Sequence, residues 1–227
     1  MTTHLKKLFE KTNLELPSKK IELLDRYAQL ILKWNQTRNL VSRNTSQKEM
    51  NEHILDCACI FPFIKKEKIL DVGTGAGLPG IVISIIDKSK QMVLLEPNQK
   101  KVSFLQHAQA ELELHNVTVI KGRIEDLEHL KEQLIITRAV MEPEKLLSLL
   151  PKERTSSLEI LMMISEPKEL QSEDWEHMFY PSDAQRILQK NRGFLSIKNK
   201  KSIGLEKLTN TDKSSQYGGR VVPSAVN

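Results

Sequence analysis

The feature that most constrains this chain is a cluster of glycines between an apolar strand pattern and an apolar helix pattern. Residues 68–70 read as a buried strand and residues 81–86 as a helix. The segment between them consists of Asp71, Val72, Gly73, Thr74, Gly75, Ala76, Gly77, Leu78, Pro79 and Gly80. A glycine turn between a strand and a helix lets the backbone approach a ligand closely. The sequence therefore predicts a nucleotide-like cofactor at this loop.

The same loop fits two classes of cofactor. Residues 75–80 match the G-x-G-x-x-G pattern of dinucleotide-binding folds, and Glu96 follows at about the ~20-residue spacing of an acid that binds ribose. The earlier part of the loop resembles the first motif of methyltransferases that use S-adenosylmethionine (SAM), an acid followed by spaced glycines: Asp71, Gly73, Gly75 and Gly77. Pro79 removes one N–H that a pyrophosphate would bind. The loop therefore favours SAM over NAD and leaves both open.

Size and composition narrow the class of protein. A chain of 227 residues fits one core domain with an appendage. No apolar run approaches the ~18 residues of a membrane span, and no signal-peptide stretch follows the N-terminus, so we expect a cytoplasmic protein. Cys57 and Cys59 lie two residues apart on a predicted helix, without clustered histidines, so neither a disulfide nor a metal site is expected. The net charge of +5 permits a nucleic-acid partner without demonstrating one.

The periodicity of apolar residues changes near residue 66. Residues 1–65 read as an N-terminal helical cap, residues 66–198 as alternating strands and helices, and residues 199–227 as a polar, basic tail. Alternation predicts an α/β fold with a mostly parallel sheet. Strands are expected at Lys68–Val72, Met92–Glu96, Val117–Lys121, Leu134–Arg138 and Leu158–Ile164, with an antiparallel edge hairpin near 175–180 and 186–197. Helices are expected at Gln47–Phe61, Pro79–Ile86, Gln99–Leu114, Ile124–Leu130 and Pro143–Leu150.

The residues near the strand ends favour a methylation target that the enzyme need not deprotonate or activate covalently. Carbon-5 methylation needs a cysteine nucleophile, but both cysteines lie in the N-terminal helices. Methylation of exocyclic amines uses an Asp or Asn, Pro-Pro and an aromatic residue after the fourth strand, where this chain has residues 137–140, Thr-Arg-Ala-Val. Guanine N7 already carries a lone pair, so its methylation requires alignment and charge management only. Arg123 and Arg138 follow strand ends on the ligand side of such a sheet, so both are candidate catalytic residues.

Five segments in order resemble the GidB/RsmG family of bacterial 16S rRNA guanine-N7 methyltransferases. They are the glycine loop, Lys33-Trp34-Asn35 with Asn39-Leu40, His53-Ile54-Leu55-Asp56, Arg123-Ile124-Glu125 and Thr137-Arg138-Ala139. The resemblance implies a Rossmann-like methyltransferase sheet, SAM as cofactor, and 16S rRNA or the small ribosomal subunit as partner, with no membrane, no metal and a monomeric enzyme. The target would be a guanine N7 in the decoding-region loop.

The resemblance also implies roles by position. Gly73, Gly75 and Leu78 would line the SAM loop, and Glu96 would bind the ribose hydroxyls. Ile124 and Glu125 would flank the adenine. Arg138 would lie at the junction of cofactor and substrate, and Arg123 would face the same pocket. Beside the pocket, the helical cap would contribute Trp34, Asn39, His53 and Asp56.

Departures from the family pattern keep two alternatives open. Cys57 replaces a usual serine, Val140 replaces a usual phenylalanine, and residues 161–167 lack the lysine that usually ends the fifth strand. The first alternative is a nucleotide-dependent oxidoreductase that uses the same glycine loop. The second is a non-catalytic RNA-binding or ribosome-assembly protein with a degenerate methyltransferase fold.

Overall fold

A computed structural model describes residues 4–138, 141–151 and 158–200. The strands are β1 (Lys68–Val72), β2 (Gln91–Glu96), β3 (Val117–Lys121), β4 (Leu134–Arg138), β5 (Glu159–Ile164), β6 (Trp175–Pro181) and β7 (Gly193–Asn199). The helices are α1 (His4–Phe9), α2 (Ser18–Arg38), α3 (Gln47–Ala58), α4 (Gly80–Ile86), α5 (Gln99–Glu111), α6 (Pro143–Leu149) and α7 (Asp183–Leu188). Most of the predicted tail, residues 201–227, lies outside the described residues, as do Ala139 and Val140.

The seven strands form one sheet in the order β3-β2-β1-β4-β5-β7-β6. Strands β1 to β5 pair in parallel, and β7 pairs antiparallel with both β5 and β6. The predicted parallel sheet with an antiparallel edge hairpin is therefore confirmed. The strand order reverses between β1 and β4, and in open α/β sheets such a reversal leaves a ligand-binding crevice at the carboxyl ends of the strands.

The predicted element boundaries are wrong at two places, where the structure has a shorter element than the one expected. The second hairpin strand does not begin at residue 186, because Asp183–Leu188 forms helix α7 and β7 starts at Gly193. Ala184 is buried in the core and Leu188 packs partly against it, which is the helical spacing of i and i+4. The helix expected at Ile124–Leu130 is only a 3-10 turn, Ile124–Asp126.

The three N-terminal helices share one core with the sheet. Tyr27 and Leu55 are fully buried in the same cluster as Ile81 of α4 and Phe104 of α5. Trp34 packs its ring edge-on against Phe104 at 5.6 Å between centroids, so it is a packing residue. The helices therefore cover one face of the sheet and reach the crevice above β1 and β4. Among the described residues no helix has the length and apolar character needed to cross a bilayer.

Candidate functional site

The glycine loop after β1 has a backbone that only glycine adopts easily. Gly73, Gly75 and Gly77 have φ of +64°, +62° and +93°. A Cβ on Gly77 would lie 2.5 Å from Ile81 Cδ1 and 2.8 Å from the Tyr27 hydroxyl oxygen. Tyr27 itself donates to the carbonyl of Ala76 at 2.6 Å. The loop is thus held tightly between α4 and a side chain of the N-terminal helices.

Asp71 fixes the conformation of this loop through hydrogen bonds. It is fully buried, and its Oδ2 accepts from the Thr74 hydroxyl at 2.6 Å and from the Gly80 N–H at 2.7 Å. Burial raises the pKa of Asp71 to about 7, against the opposing effect of these two hydrogen bonds. Its Oδ1 has no hydrogen-bond partner among the described residues. Asp71 does not line the crevice, so its contribution in the structure is to fix the loop and the start of α4.

A cavity of about 730 Å³, the main cavity, opens at the carboxyl ends of β1, β2 and β4. Of the residues predicted for the site, it brings together Gly73, Gly75, Leu78, Glu96, Arg123, Ile124, Glu125 and Arg138. Asp71 and Gly77 lie behind its wall. The cavity is also lined by four residues that no sequence motif indicates: Val41, Lys101, Met141 and Lys145.

Glu96, at the end of β2, points both carboxylate oxygens at backbone donors. Oε2 accepts from the Gly75 N–H and Oε1 from the Asn98 N–H, each at 2.9 Å. The residue is 4% exposed and lines the main cavity. Because each carboxylate oxygen has two lone pairs, Glu96 retains acceptor capacity toward a ligand hydroxyl. It also ties β2 directly to the glycine loop.

The turn after β3 forms another wall of the main cavity. Ile124 is 2% exposed and presents an apolar surface, whereas the Arg123 side chain is 67% exposed. The Arg123 guanidinium lies 3.8 Å from Glu125, and its backbone N–H donates to Asp126 at 3.0 Å. Arg123 is therefore an exposed cation at the rim of the cavity, paired with Glu125 of the same turn.

Arg138, at the end of β4, is held by side chains of α3. One guanidinium nitrogen lies 2.8 Å from His53 Nδ1, another lies 3.7 Å from Cys57 Sγ, and the carboxylate of Asp56 is 3.7 Å away. The Arg138 side chain is 20% exposed. Asp56 also forms an ion pair with Arg192, the residue before β7, at 3.4 Å. His53 and Asp56 thus both bind Arg138, and the segment 53–56 positions that residue.

Burial sets the charge states in this cluster. Desolvation, followed by the positive charges of Arg138 and Arg192, lowers the pKa of His53 to about 4. His53 is therefore neutral near pH 7, and its Nδ1 accepts from Arg138. Desolvation also raises the pKa of Asp56, although both arginines oppose the shift. The pKa of Cys57 rises to about 12, mainly through burial, which leaves the thiol protonated and unsuited to nucleophilic attack.

A second cavity of about 510 Å³, the side cavity, adjoins the first. Arg138 and Met141 line both cavities. The side cavity adds the thioether of Met163 and a set of charged residues: Asp56, Glu142, Glu166, Lys168 and Arg192. Apart from Asp56, no local sequence pattern indicates these residues, because they come from loops and strand ends far apart in the chain. No group of three or more His, Cys, Asp or Glu within the described residues is arranged to hold a metal ion.

Comparison of the sequence with known families finds one match over most of the chain. A family model described as GidB, rRNA small subunit methyltransferase G, matches residues 20–208. A ribosomal RNA small subunit methyltransferase G from Ruthia magnifica is 41% identical over 153 residues, which cover 66% of this chain and 75% of that protein. A protein of the same name from Psychromonas ingrahamii is 36% identical over 60% of this chain and 66% of its own length.

Solved structures support the fold. A point mutant of MtNAS, crystallised with S-adenosylmethionine, superposes with a TM-score of 0.55 at 14% identity, over 78% of this chain and 72% of that one. A putative O-methyltransferase from Klebsiella pneumoniae superposes with a TM-score of 0.52 at 14% identity, over 85% of this chain and 94% of that one. At this identity the likeness shows a shared methyltransferase-type fold and nothing finer.

Proposed function

The chain belongs to the GidB family of rRNA small subunit methyltransferase G, and from that premise we propose that it methylates guanine N7 in 16S rRNA with SAM as methyl donor. The observation that carries the proposal is the position of Arg138, which lines both cavities. A methyl donor in the main cavity and a base in the side cavity would meet at this residue. We place the target in the decoding-region loop, as the sequence resemblance implies.

The residues of the main cavity suit SAM. Its volume of about 730 Å³ lies within the range of small-molecule sites. Glu96 would accept from the ribose hydroxyls, and Ile124 and Glu125 would flank the adenine. Gly73 and Gly75, which have positive φ and line the cavity, give the amino-acid end of the ligand close access to the backbone. When bound, SAM supplies an electrophilic methyl group on a sulfonium centre.

The charged cluster suits a reaction that needs no base. Guanine N7 bears no proton, so the protein has only to align its lone pair with the methyl carbon; the carbon–sulfur bond breaks as the nitrogen–carbon bond forms. Arg138 would hold the guanine O6 or an adjacent phosphate by its planar donor fork. His53 is neutral and engaged by Arg138, so it orients that arginine. Asp56 offsets the positive charge of Arg138 and Arg192 as positive charge moves to the base.

The remaining partners follow from the same proposal. The substrate would be 16S rRNA, alone or in the small ribosomal subunit, and the protein would act as a monomer in the cytoplasm. The net charge of +5 is compatible with a polyanionic substrate.

The test is methyl transfer mapped at nucleotide resolution. The full chain is incubated with SAM and small-subunit particles or 16S rRNA, and N7-methylguanine is located by borohydride reduction and aniline cleavage. We expect one new cleavage in the decoding-region loop. A matched RNA containing 7-deazaguanine lacks the N7 lone pair and should remain uncleaved and unlabelled by radioactive SAM.

Calorimetry with SAM, S-adenosylhomocysteine, NAD and NADP accompanies the assay. SAM binding without cleavage on any ribosomal substrate would contradict the N7 assignment and favour the non-catalytic alternative. Binding of NAD or NADP in place of SAM would instead favour an oxidoreductase.

A further inference from the structure

Three cations line the side cavity from three separate parts of the chain. Arg138 ends β4, Lys168 lies in the loop after β5, and Arg192 precedes β7. Their side chains are 20%, 40% and 28% exposed, so all three are accessible from the cavity. The same cavity is also lined by three carboxylates, so an external anion binds the cations only where a carboxylate gives up its ion pair. Arg138 places the cations next to the main cavity.

The counterions of these cations differ in how firmly they are fixed. Asp56, which pairs with Arg138 and Arg192, has a side chain only 5% exposed. Glu142, which pairs with Lys168, has a side chain 67% exposed. A solvated carboxylate gives up an ion pair at little cost, whereas a buried one does not. Only the pair between Lys168 and Glu142 is therefore readily exchanged for an external anion.

We propose that the side cavity contains a subsite for an RNA backbone phosphate beside the target guanine. Lys168 and Arg192 bind this phosphate, which displaces Glu142 from its ion pair with Lys168. The inference rests on the proposed function, because it takes the ligand to be RNA. The thioethers of Met141 and Met163 give the same cavity an apolar wall for a base. A base beside these methionines would have its phosphate near the cations at the opening.

Exchange of Glu142 for a phosphate would give a selectivity among RNAs that a basic patch without this ion pair would lack. Free RNA must compete with Glu142 for Lys168, so non-target RNA that offers only a phosphate gains little from this site. A target that also places its base in the cavity gains both contacts. The ion pair thus makes binding depend on the base as well as on the charge.

The first experiment measures RNA affinity by fluorescence anisotropy, with a labelled 16S rRNA fragment from the decoding region. Lys168→Gln should raise the Kd about three- to fivefold and lower the salt dependence of binding by about 0.7 in log–log slope, as expected for one lost phosphate contact to single-stranded RNA. Lys66→Gln is the matched control. Lys66 is also a partly exposed lysine in an ion pair, with Glu159 at 3.1 Å, but it does not line either cavity.

The second experiment removes the counterion. Glu142→Gln should lower the Kd for the same RNA about two- to threefold, because Lys168 becomes free. The matched control is Glu159→Gln, which frees Lys66 and Lys198 away from the cavities and should change the Kd less than Glu142→Gln. Lys168→Arg should keep affinity near that of the parent protein, since it preserves the charge.

The outcomes separate this inference from the proposed function. Unchanged RNA affinity and salt slope in Lys168→Gln, or weaker binding in Glu142→Gln, would overturn the phosphate subsite even where N7 methylation is mapped. Absence of methylation by the parent protein would overturn the proposed function, while the two affinity changes would still report on the subsite. Thermal melts of each variant confirm that the fold is retained.

Discussion

The main cavity and the side cavity share Arg138 and Met141, but they are built in different ways. The main cavity depends on backbone conformation: three glycines with positive φ, a buried aspartate beneath them and a glutamate that binds two backbone N–H groups. The side cavity depends on ion pairs between side chains from distant segments. The main cavity is fixed by backbone conformation and buried hydrogen bonds, whereas the side cavity is set by charges that solvent and salt can modulate.

This difference predicts two kinds of sensitivity. A change in the main cavity should affect cofactor affinity and stability together, because its wall is also the loop that starts α4. A change in the side cavity should affect RNA affinity and its salt dependence, with little effect on folding. Of the two residues that the cavities share, Arg138 should affect transfer far more than either binding step.

Substitution of that shared residue should have the largest effect. In Arg138→Ala, we expect the rate of methyl transfer to fall by about 10²–10³-fold or more, because a preorganised cation at the junction is lost. SAM and RNA affinities should each change less than about tenfold. Single-turnover transfer and separate binding measurements check this. A loss in transfer that is matched by an equal loss in SAM affinity would place Arg138 in the main cavity alone.

A substitution in the glycine loop should test the rigidity of the main cavity. Gly77→Ala forces a Cβ against Ile81 and Tyr27 at a φ of +93°, so SAM affinity should fall more than about tenfold and the free energy of unfolding by about 2–4 kcal/mol. RNA affinity without SAM should stay within about twofold. Calorimetry and urea denaturation give these values.

Gly122→Ala is the control for this prediction. Gly122 lines the main cavity, but its added Cβ would make only an ordinary contact with Leu95 at 3.5 Å. We therefore expect little change in SAM affinity or stability. Equal effects of the two substitutions would contradict the view that the loop's conformation, and not its size alone, shapes the main cavity.

The same contrast explains what the sequence revealed. The glycine loop, Glu96 and the parallel sheet follow from patterns within short windows, and the sheet is as predicted. The partners of Arg138 lie 81 and 85 residues away in the chain, and Lys168 pairs with Glu142 across 26 residues. Such pairs depend on tertiary packing and leave no local pattern. Helix α7 differs from the predicted strand for a related reason: a segment of six residues is too short for its apolar period to distinguish a helix from a strand.

The contact between the N-terminal helices and the glycine loop should give a smaller effect than the loop itself. Tyr27→Phe removes the hydroxyl that donates to Ala76 and leaves a buried carbonyl without this donor. We expect a loss of about 1–2 kcal/mol in the free energy of unfolding and a several-fold weaker SAM affinity. Tyr180→Phe is a control, since that ring stacks on Phe194 at the far edge of the sheet. Equal SAM affinity in Tyr27→Phe and the parent would show that the helices cover the loop without shaping it.

The smallest effect is expected from protonation of His53, which lies beside Arg138. The pKa of His53 is about 4 in the folded protein and about 6.5 when unfolded, so between pH 6.5 and pH 4 mainly the unfolded chain binds this proton. Stability contributed by neutral His53 is therefore complete above pH 6.5 and is lost as the pH falls toward 4.

The loss from His53 should reach about 1–2 kcal/mol, after allowance for partial exposure. His53→Gln keeps a neutral acceptor for Arg138 and should remove this part of the pH dependence. Asp71 and Asp56, whose pKa values are raised, act in the opposite direction, so the test is the difference between parent and variant in urea unfolding at pH 7 and pH 4.5. If that difference is the same at both pH values, His53 does not hold Arg138 as a neutral acceptor, and the shared wall of the two cavities is organised by Asp56 instead.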